Sequence, residues 1–141
     1  MPSEIPPNPA VLVIDDEPLI RWALSEGLTD AGYVVQQAAD GGEARAALTA
    51  HGAGALVVLL DLRLPDVADL SLLRHIRARR PDAPVLVMTA HGSSEEAAEA
   101  ARLGVVGFVS KPFDVAEMVK LVNAAWLNRA RLDPLASPGP A

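Results

Sequence analysis

The sequence contains no cysteine, which excludes disulfide bonds and thiolate metal sites. It has no apolar run long enough to span a bilayer, and its first nine residues lack both the basic start and the apolar core of a signal peptide. It also lacks an excess of positive charge: the net charge of −6 argues against nonspecific nucleic-acid binding, which depends on neutralising phosphates. We therefore predict a cytoplasmic protein that neither enters membranes nor binds nucleic acid through this domain.

The composition is that of a folded globular chain. Hydrophobic residues make up 50% and charged residues 21% of the sequence, which excludes global disorder. A length of 141 residues suits one domain. Proline and small residues dominate both ends, so we expect a flexible N-terminus at residues 1–9, a folded domain at 10–129, and a flexible tail or linker at 130–141.

Short apolar runs alternate with longer amphipathic segments. Most of the runs are continuously apolar and rich in valine, which is typical of strands buried on both faces of a parallel sheet. They occupy residues 11–14, 33–35, 55–60, 85–88 and 105–109. The segments that follow them have helical spacing, marked by Ile20, Leu24 and Leu28, then residues 43–50, then Leu70, Leu73 and Ile76, then residues 93–104, and last Val115, Met118, Val119, Val122 and Trp126. Five successive βα units predict a flavodoxin-like, doubly wound α/β fold with a five-stranded parallel sheet in the order 2-1-3-4-5 and five helices.

Polar residues stand where these strands end. Asp15 and Asp16 end the first strand, Asp61 the third and Thr89 the fourth, and Lys111 follows the fifth. In such a sheet, ligands bind beyond the carboxyl ends of the strands, at the point where the strand order reverses. The three aspartates should converge there. Because clustered carboxylates repel one another, we expect a hard divalent cation among them, and an open site of this kind suits Mg²⁺.

A cation beside Lys111 makes a pocket suited to a phosphoryl group. The chemistry required is positioning and charge neutralisation around an in-line transfer. Asp61 is then a plausible nucleophile, since carboxylates form aspartyl-phosphate intermediates.

Four motifs carry a family resemblance: Asp15-Asp16-Glu17-Pro18, Asp61-Leu62-Arg63-Leu64-Pro65, Met88-Thr89-Ala90-His91-Gly92, and Phe108-Val109-Ser110-Lys111-Pro112-Phe113. Together they resemble the receiver domains of bacterial two-component response regulators. The residues of these motifs are most similar to those of receivers attached to enhancer-binding transcription activators. The resemblance covers about residues 10–129. It implies a cytoplasmic signalling switch that a sensor histidine kinase phosphorylates, with no enzymatic activity beyond transfer to and loss from its own aspartate.

The resemblance also implies a metal site. Asp61 resembles the phosphoacceptor and a metal ligand. Asp16 looks like the direct carboxylate ligand of Mg²⁺, with Asp15 acting mostly through water and the backbone carbonyl of Arg63 completing the protein's share.

Further roles implied by the resemblance concern the switch. Thr89 looks like the hydroxyl that closes on the phosphoryl group, and Lys111 like the lysine that pairs with it. Pro112 occupies the position of a cis peptide bond, and Phe108 that of the switch aromatic. A changed output surface is then expected on the fourth helix, fifth strand and fifth helix, available to a second copy or an output partner.

The sequence departs from the family pattern in the loop after the acceptor. Asp66 and Asp69 stand where such receivers usually carry glycine, and Gly107 is unusual before Phe108. The key positions are intact, which favours a phosphorylated switch over a phosphorylation-independent pseudo-receiver adaptor. A flavodoxin-like cofactor-binding domain is a third hypothesis, disfavoured because Asp-Asp-Glu-Pro replaces the hydroxyl- and glycine-rich loop that flavin phosphate requires.

Simpler interpretations remain for some residues. One of Asp15 and Asp16 is expected to assist as a helix cap. Four arginines between residues 74 and 80 are interpreted as a solvated helix face. Trp22 and Trp126 are expected to pack where the first and last helices meet, although Trp22 lies off the apolar stripe of its helix. Whether the chain stands alone or is the front of a longer regulator is left open.

Overall fold

A computed structural model describes residues 8–67, 69–89 and 94–129. The strands are Ala10–Ile14 (β1), Val34–Ala38 (β2), Leu56–Asp61 (β3), Val85–Thr89 (β4) and Gly107–Ser110 (β5). The helices are Pro18–Asp30 (α1), Gly41–His51 (α2), Ser71–Arg79 (α3), Ser94–Arg102 (α4) and Val115–Leu127 (α5). All strand pairs are parallel and the sheet order is β2-β1-β3-β4-β5, so the predicted fold is confirmed. Most of the two ends predicted to be flexible, residues 1–7 and 130–141, lies outside the described residues.

The sheet has two apolar cores, one on each face. Along β1 and β3, successive side chains enter alternate cores, and for this reason these strands read as continuous apolar runs. Leu12 of β1 packs with residues of α2, α3 and α4, whereas Val13 packs with residues of α1 and α5. A parallel sheet covered by helices on both faces is the result, with β3 at its centre between β1 and β4.

The edge strands are the ones whose bounds the sequence predicted least well. The second strand was expected at residues 33–35 but extends through two glutamines to Ala38, and the fifth begins two residues later than expected, at Gly107. Both strands pair on one side only and are partly exposed. Apolar patterning therefore marks their ends poorly.

The interpretation of the arginines as a solvated face is wrong for two of them. Arg80 is buried, and its guanidinium donates to the carbonyl oxygens of Gly52 at 3.1 Å and Gly54 at 2.6 Å. Arg77 donates through Nε to the carbonyl oxygen of Leu103 at 3.0 Å. These side chains bind loop carbonyls near the amino ends of the strands, which a charge pattern on one helix does not reveal.

The expectation for the tryptophans is wrong in one case. Trp22 is 62% exposed, because it lies off the stripe that buries Leu24 and Leu28. Trp126 does pack against the core shared by α1 and α5, and the Arg129 guanidinium lies 3.6 Å from the centre of its ring. Within the described ranges, no helix combines the length and apolar character needed to cross a bilayer.

Candidate functional site

Three aspartates meet where the strand order reverses. Asp61 is the last residue of β3, and Asp15 and Asp16 directly follow β1, its neighbour in the sheet. One carboxylate oxygen from each lies within 4.8 Å of the others. Asp15 is fully buried and Asp61 is 3% exposed, whereas Asp16 is open to solvent. The convergence expected from the sheet order is thus present in the structure.

Lys111 reaches this cluster from the loop after β5. Its Nζ lies 2.7 Å from Asp15 Oδ2, 3.1 Å from Asp61 Oδ2 and 3.2 Å from Glu17 Oε1. Its backbone N–H donates to the Thr89 carbonyl at 2.9 Å, and the Lys111–Pro112 peptide bond is cis. Glu17 was not predicted to take part in the site, and its place in the Asp-Asp-Glu-Pro motif is its only signal in the sequence.

The two buried aspartates are held in the same way. Asp15 Oδ1 accepts from the backbone N–H of Glu17 at 2.8 Å, and Asp61 Oδ1 accepts from that of Arg63 at 2.9 Å. In each case the other oxygen faces Lys111. Asp15 therefore binds the residue that precedes α1 rather than an amide within it, and no side chain among the described residues caps α1, so the expectation that Asp15 or Asp16 caps this helix is wrong.

Burial and charge shift the proton affinities of this cluster. Burial raises the pKa of Asp61, against opposing effects of the Arg63 N–H and of Lys111, while the nearby Asp15 charge raises it further. Burial alone would lower the pKa of Lys111, but Asp15 and Asp61 outweigh it, so the pKa of Lys111 lies above its ordinary value. The ammonium therefore stays charged at neutral pH, and Asp61 ionises less readily than a free carboxyl.

Asp16 faces a cavity of about 470 Å³ at the mouth of the site, lined also by Leu62, Arg63, Leu64, Pro65, Val67 and Glu96. The carboxylate oxygens of the three aspartates form a hard, anionic donor set. Such a set suits a divalent cation such as Mg²⁺, which prefers carboxylate oxygens and keeps several waters. The residues present thus fit the predicted metal.

Thr89 ends β4 beside Asp61, because Asp61 pairs with Met88 in the sheet. Its hydroxyl oxygen is buried and, among the residues that the structure describes, finds no hydrogen-bond partner. A buried hydroxyl without a partner is costly, and a phosphoryl oxygen would satisfy it. Phe108 lies on the neighbouring β5 and is 41% exposed. Residues 90–92 of the Met-Thr-Ala-His-Gly motif lie outside the described residues.

The two unexpected aspartates of the β3–α3 loop serve other contacts. Asp66 accepts from the backbone N–H groups of Gly41 at 2.8 Å and Gly42 at 3.1 Å. Asp69 accepts from the N–H of Ser71 at the start of α3, at 2.9 Å. Neither joins the group of aspartates that could hold a metal in the described part of the chain.

Comparison with known proteins agrees with this geometry. The sequence profile of the family described as "Response regulator receiver domain" matches residues 11–123. The chain belongs to the response regulator receiver family. As a receiver it is 39% identical over 115 residues to the DNA-binding transcriptional regulator NtrC of Salmonella typhimurium, covering 82% of this chain and 24% of that protein. It is 37% identical to the C4-dicarboxylate transport transcriptional regulatory protein DctD of Rhizobium meliloti, covering 83% and 25%.

Solved structures show the same receiver fold. NtrX from Brucella abortus superimposes with a TM-score of 0.75 at 32% identity, over 86% of this chain and 27% of that one. The chemotaxis protein CheY4 of Vibrio cholerae gives a TM-score of 0.72 at 32% identity, over 83% and 98%. The receiver spans about a quarter of the length of NtrC and DctD. The family predicted from the four motifs is confirmed, and receivers of this family are signalling domains.

Proposed function

We propose that this receiver accepts a phosphoryl group from a sensor histidine kinase on Asp61, in a reaction that requires Mg²⁺, and that its surface changes in response. One observation carries the proposal: the buried Asp61 carboxylate lies between Asp15, Asp16 and the Lys111 ammonium at the carboxyl end of the sheet. An ion pair that only stabilises the fold would explain why Lys111 lies beside one aspartate. It would not explain why three aspartates meet at the same edge of the sheet.

In the proposed reaction, an Asp61 carboxylate oxygen bonds to phosphorus as the bond from phosphorus to the donor histidine nitrogen breaks. Lys111, already 3.1 Å from Asp61 Oδ2, stabilises the negative charge on the phosphoryl oxygens. Asp15, Asp16, Asp61 and the Arg63 backbone carbonyl would hold Mg²⁺, which supplies further neutralisation of that charge when bound.

The unpartnered Thr89 hydroxyl suits the switch. Charge-assisted hydrogen bonds contribute roughly 1.5–3 kcal/mol each, so contacts from Thr89 and Lys111 together approach the roughly 5.5 kcal/mol that moves an equilibrium from 1:99 to 99:1. Movement of Thr89 toward the phosphoryl group would leave space that the exposed Phe108 ring can enter. Family membership favours this switch, or a pseudo-receiver adaptor, over a cofactor-binding domain.

Acetyl phosphate tests the proposal directly. The wild-type chain should gain one phosphoryl group in the presence of Mg²⁺, measured by intact-protein mass spectrometry, and gain none after chelation of the metal. A chain that binds a kinase or another partner yet never gains the group would be a pseudo-receiver.

A domain at residues 10–129 and a cytoplasmic location stay predictions.

The two adjacent aspartates should differ in their contribution to Mg²⁺ affinity. Both carboxylate oxygens of Asp15 already face protein groups, namely the Glu17 N–H and Lys111, whereas Asp16 faces the open cavity. We expect Asp16→Ala to raise the Mg²⁺ dissociation constant about tenfold more than Asp15→Ala, as for a direct ligand against an outer one. Titration with Mg²⁺, followed by the combined fluorescence of Trp22 and Trp126, provides the measurement. A larger loss of Mg²⁺ affinity in Asp15→Ala would mean that Asp15 is the direct ligand and Asp16 the outer one.

The output surface is expected on α4, β5 and α5. Arg102, Phe108, Glu117 and Lys120 are all exposed on these elements. Phosphorylation adds roughly −1.5 to −2 charges at Asp61, and β4 links that site to β5 through the pairing of Thr89 with Ser110. With beryllofluoride as a phosphoryl mimic, hydrogen exchange should change within residues 93–120. Changes confined to α1, which carries the exposed Trp22, would contradict this assignment.

A further inference from the structure

The loop between β3 and α3 is attached to the amino end of α2 by one side chain. Asp66 Oδ1 accepts a hydrogen bond from the backbone N–H of Gly41, and Oδ2 accepts one from the N–H of Gly42. These are the first two residues of α2. A helix leaves its first N–H groups without intrahelical partners. Asp40 accepts from Glu43, so the caps from Asp40 and Asp66 together satisfy three successive amides. The Gly41 N–H, above all, lowers the pKa of Asp66, so its carboxylate is ionised at neutral pH.

The packing at this contact is close. Gly41 is buried, and a Cβ at this position would lie 2.5 Å from Val67 Cγ2, closer than atoms can approach. The loop itself turns back at this point, where the backbone N–H of Val67 donates to the carbonyl oxygen of Leu64 at 3.3 Å. Only glycine at position 41 lets the loop approach the helix this closely.

The amino end of α2 is in turn fixed to the metal side of the site. Ala38, the last residue of β2, pairs with Ile14, and its carbonyl accepts from the Asp15 N–H at 3.1 Å. Asp66 thus joins the loop that carries Arg63 to the part of the sheet that carries Asp15 and Asp16. At the site itself the loop is also held by Asp61, whose Oδ1 accepts from the Arg63 N–H at 2.9 Å, while Leu64 and Val67 pack against the core.

We propose that Asp66 is a positioning residue for the divalent cation: by binding the α2 amides it fixes the β3–α3 loop, and with it the Arg63 backbone carbonyl, relative to the aspartates. This inference rests on the proposed function, which supplies the cation. Asp66 lies outside the group of three aspartates and acts through the loop.

Asp69 offers a matched control. It is an exposed aspartate of the same loop with the same charge, but its carboxylate binds Ser71 of α3 rather than α2. Asp66→Ala should raise the Mg²⁺ dissociation constant about tenfold, at the lower end of the range for outer-shell residues. Asp69→Ala, which removes the same charge, should change it less than about twofold by the same standard. Asp66→Asn, which keeps one acceptor oxygen, should fall between wild type and Asp66→Ala.

Hydrogen exchange at the Gly41 and Gly42 amides gives a second measurement that does not depend on phosphorylation. Because coupling between two sites is reciprocal, Mg²⁺ should slow exchange of both amides in the wild type and have no effect on them in Asp66→Ala. Equal dissociation constants for Asp66→Ala and Asp69→Ala, or amides in the wild type that do not respond to Mg²⁺, would overturn the inference. A wild-type chain that binds Mg²⁺ and shows this coupling but accepts no phosphoryl group would refute the proposed function alone. A wild-type chain that binds no Mg²⁺ would refute both.

Discussion

Replacing Asp61 with asparagine is expected to abolish formation of the acyl phosphate while the domain stays folded. The amide that replaces the carboxylate has nearly the same shape but lacks the anionic oxygen that attacks phosphorus. Its oxygen can still accept from the Arg63 N–H, which holds the wild-type side chain at 2.9 Å. Mass spectrometry after treatment with acetyl phosphate and Mg²⁺ should show the adduct on the wild type and none on the variant.

The control for Asp61→Asn is Asp82→Asn. Asp82 belongs to the loop before β4, at the opposite end of the sheet, and pairs with Arg80, so its replacement should leave phosphorylation unchanged. Burial raises the pKa of Asp61, which means that ionising this carboxyl is less favourable in the folded chain than in the unfolded chain. The asparagine variant should therefore unfold at no lower urea concentration than the wild type when Mg²⁺ is absent. A full adduct on Asp61→Asn would place the acceptor at another residue.

The residues of the site were predictable from the sequence because their positions follow from a topological rule. Once β1 and β3 are recognised as central parallel strands, the residues that end them must meet at one edge of the sheet. Asp15, Asp16 and Asp61 therefore needed no knowledge of distances. Lys111 and Thr89 follow from the same rule, applied to β4 and β5.

What the sequence did not reveal are polar contacts made by residues that do not lie at strand ends, such as Asp66 in a loop and Arg80 after a helix. Asp66 and Gly41 are 25 residues apart, and Arg80 and Gly54 are 26 apart. Periodicity reports which face of an element is buried, and it carries no information on where a buried guanidinium or carboxylate finds its partner. The same limit explains why Arg80 was interpreted as solvated when it is buried.

Replacing Lys111 with methionine is expected to have the largest effect on stability. The lysine side chain is 10% exposed and lies between the buried carboxylates of Asp15 and Asp61. Methionine keeps an apolar stem of similar length but leaves two buried acids without the ammonium. Removing one partner of a buried charge pair costs about 3–5 kcal/mol, so without Mg²⁺ the free energy of unfolding should fall by about 3 kcal/mol.

Adding Mg²⁺ should restore much of the stability lost in Lys111→Met. A ligand that binds only the folded state stabilises it by RT ln(1 + [L]/Kd), about 2.7 kcal/mol at 100 times the dissociation constant. The variant should bind the cation more tightly than the wild type, because Lys111 no longer competes for Asp15 and Asp61. Urea unfolding with and without Mg²⁺ measures both effects. The control is Lys120→Met, because Lys120 is an exposed lysine of α5 that pairs with Glu117 at 3.5 Å. This change should leave the urea unfolding curves with and without Mg²⁺ the same as those of the wild type. An equal loss of stability with and without Mg²⁺ would mean that Lys111 stabilises the fold by packing, and that the two aspartates do not share a cation.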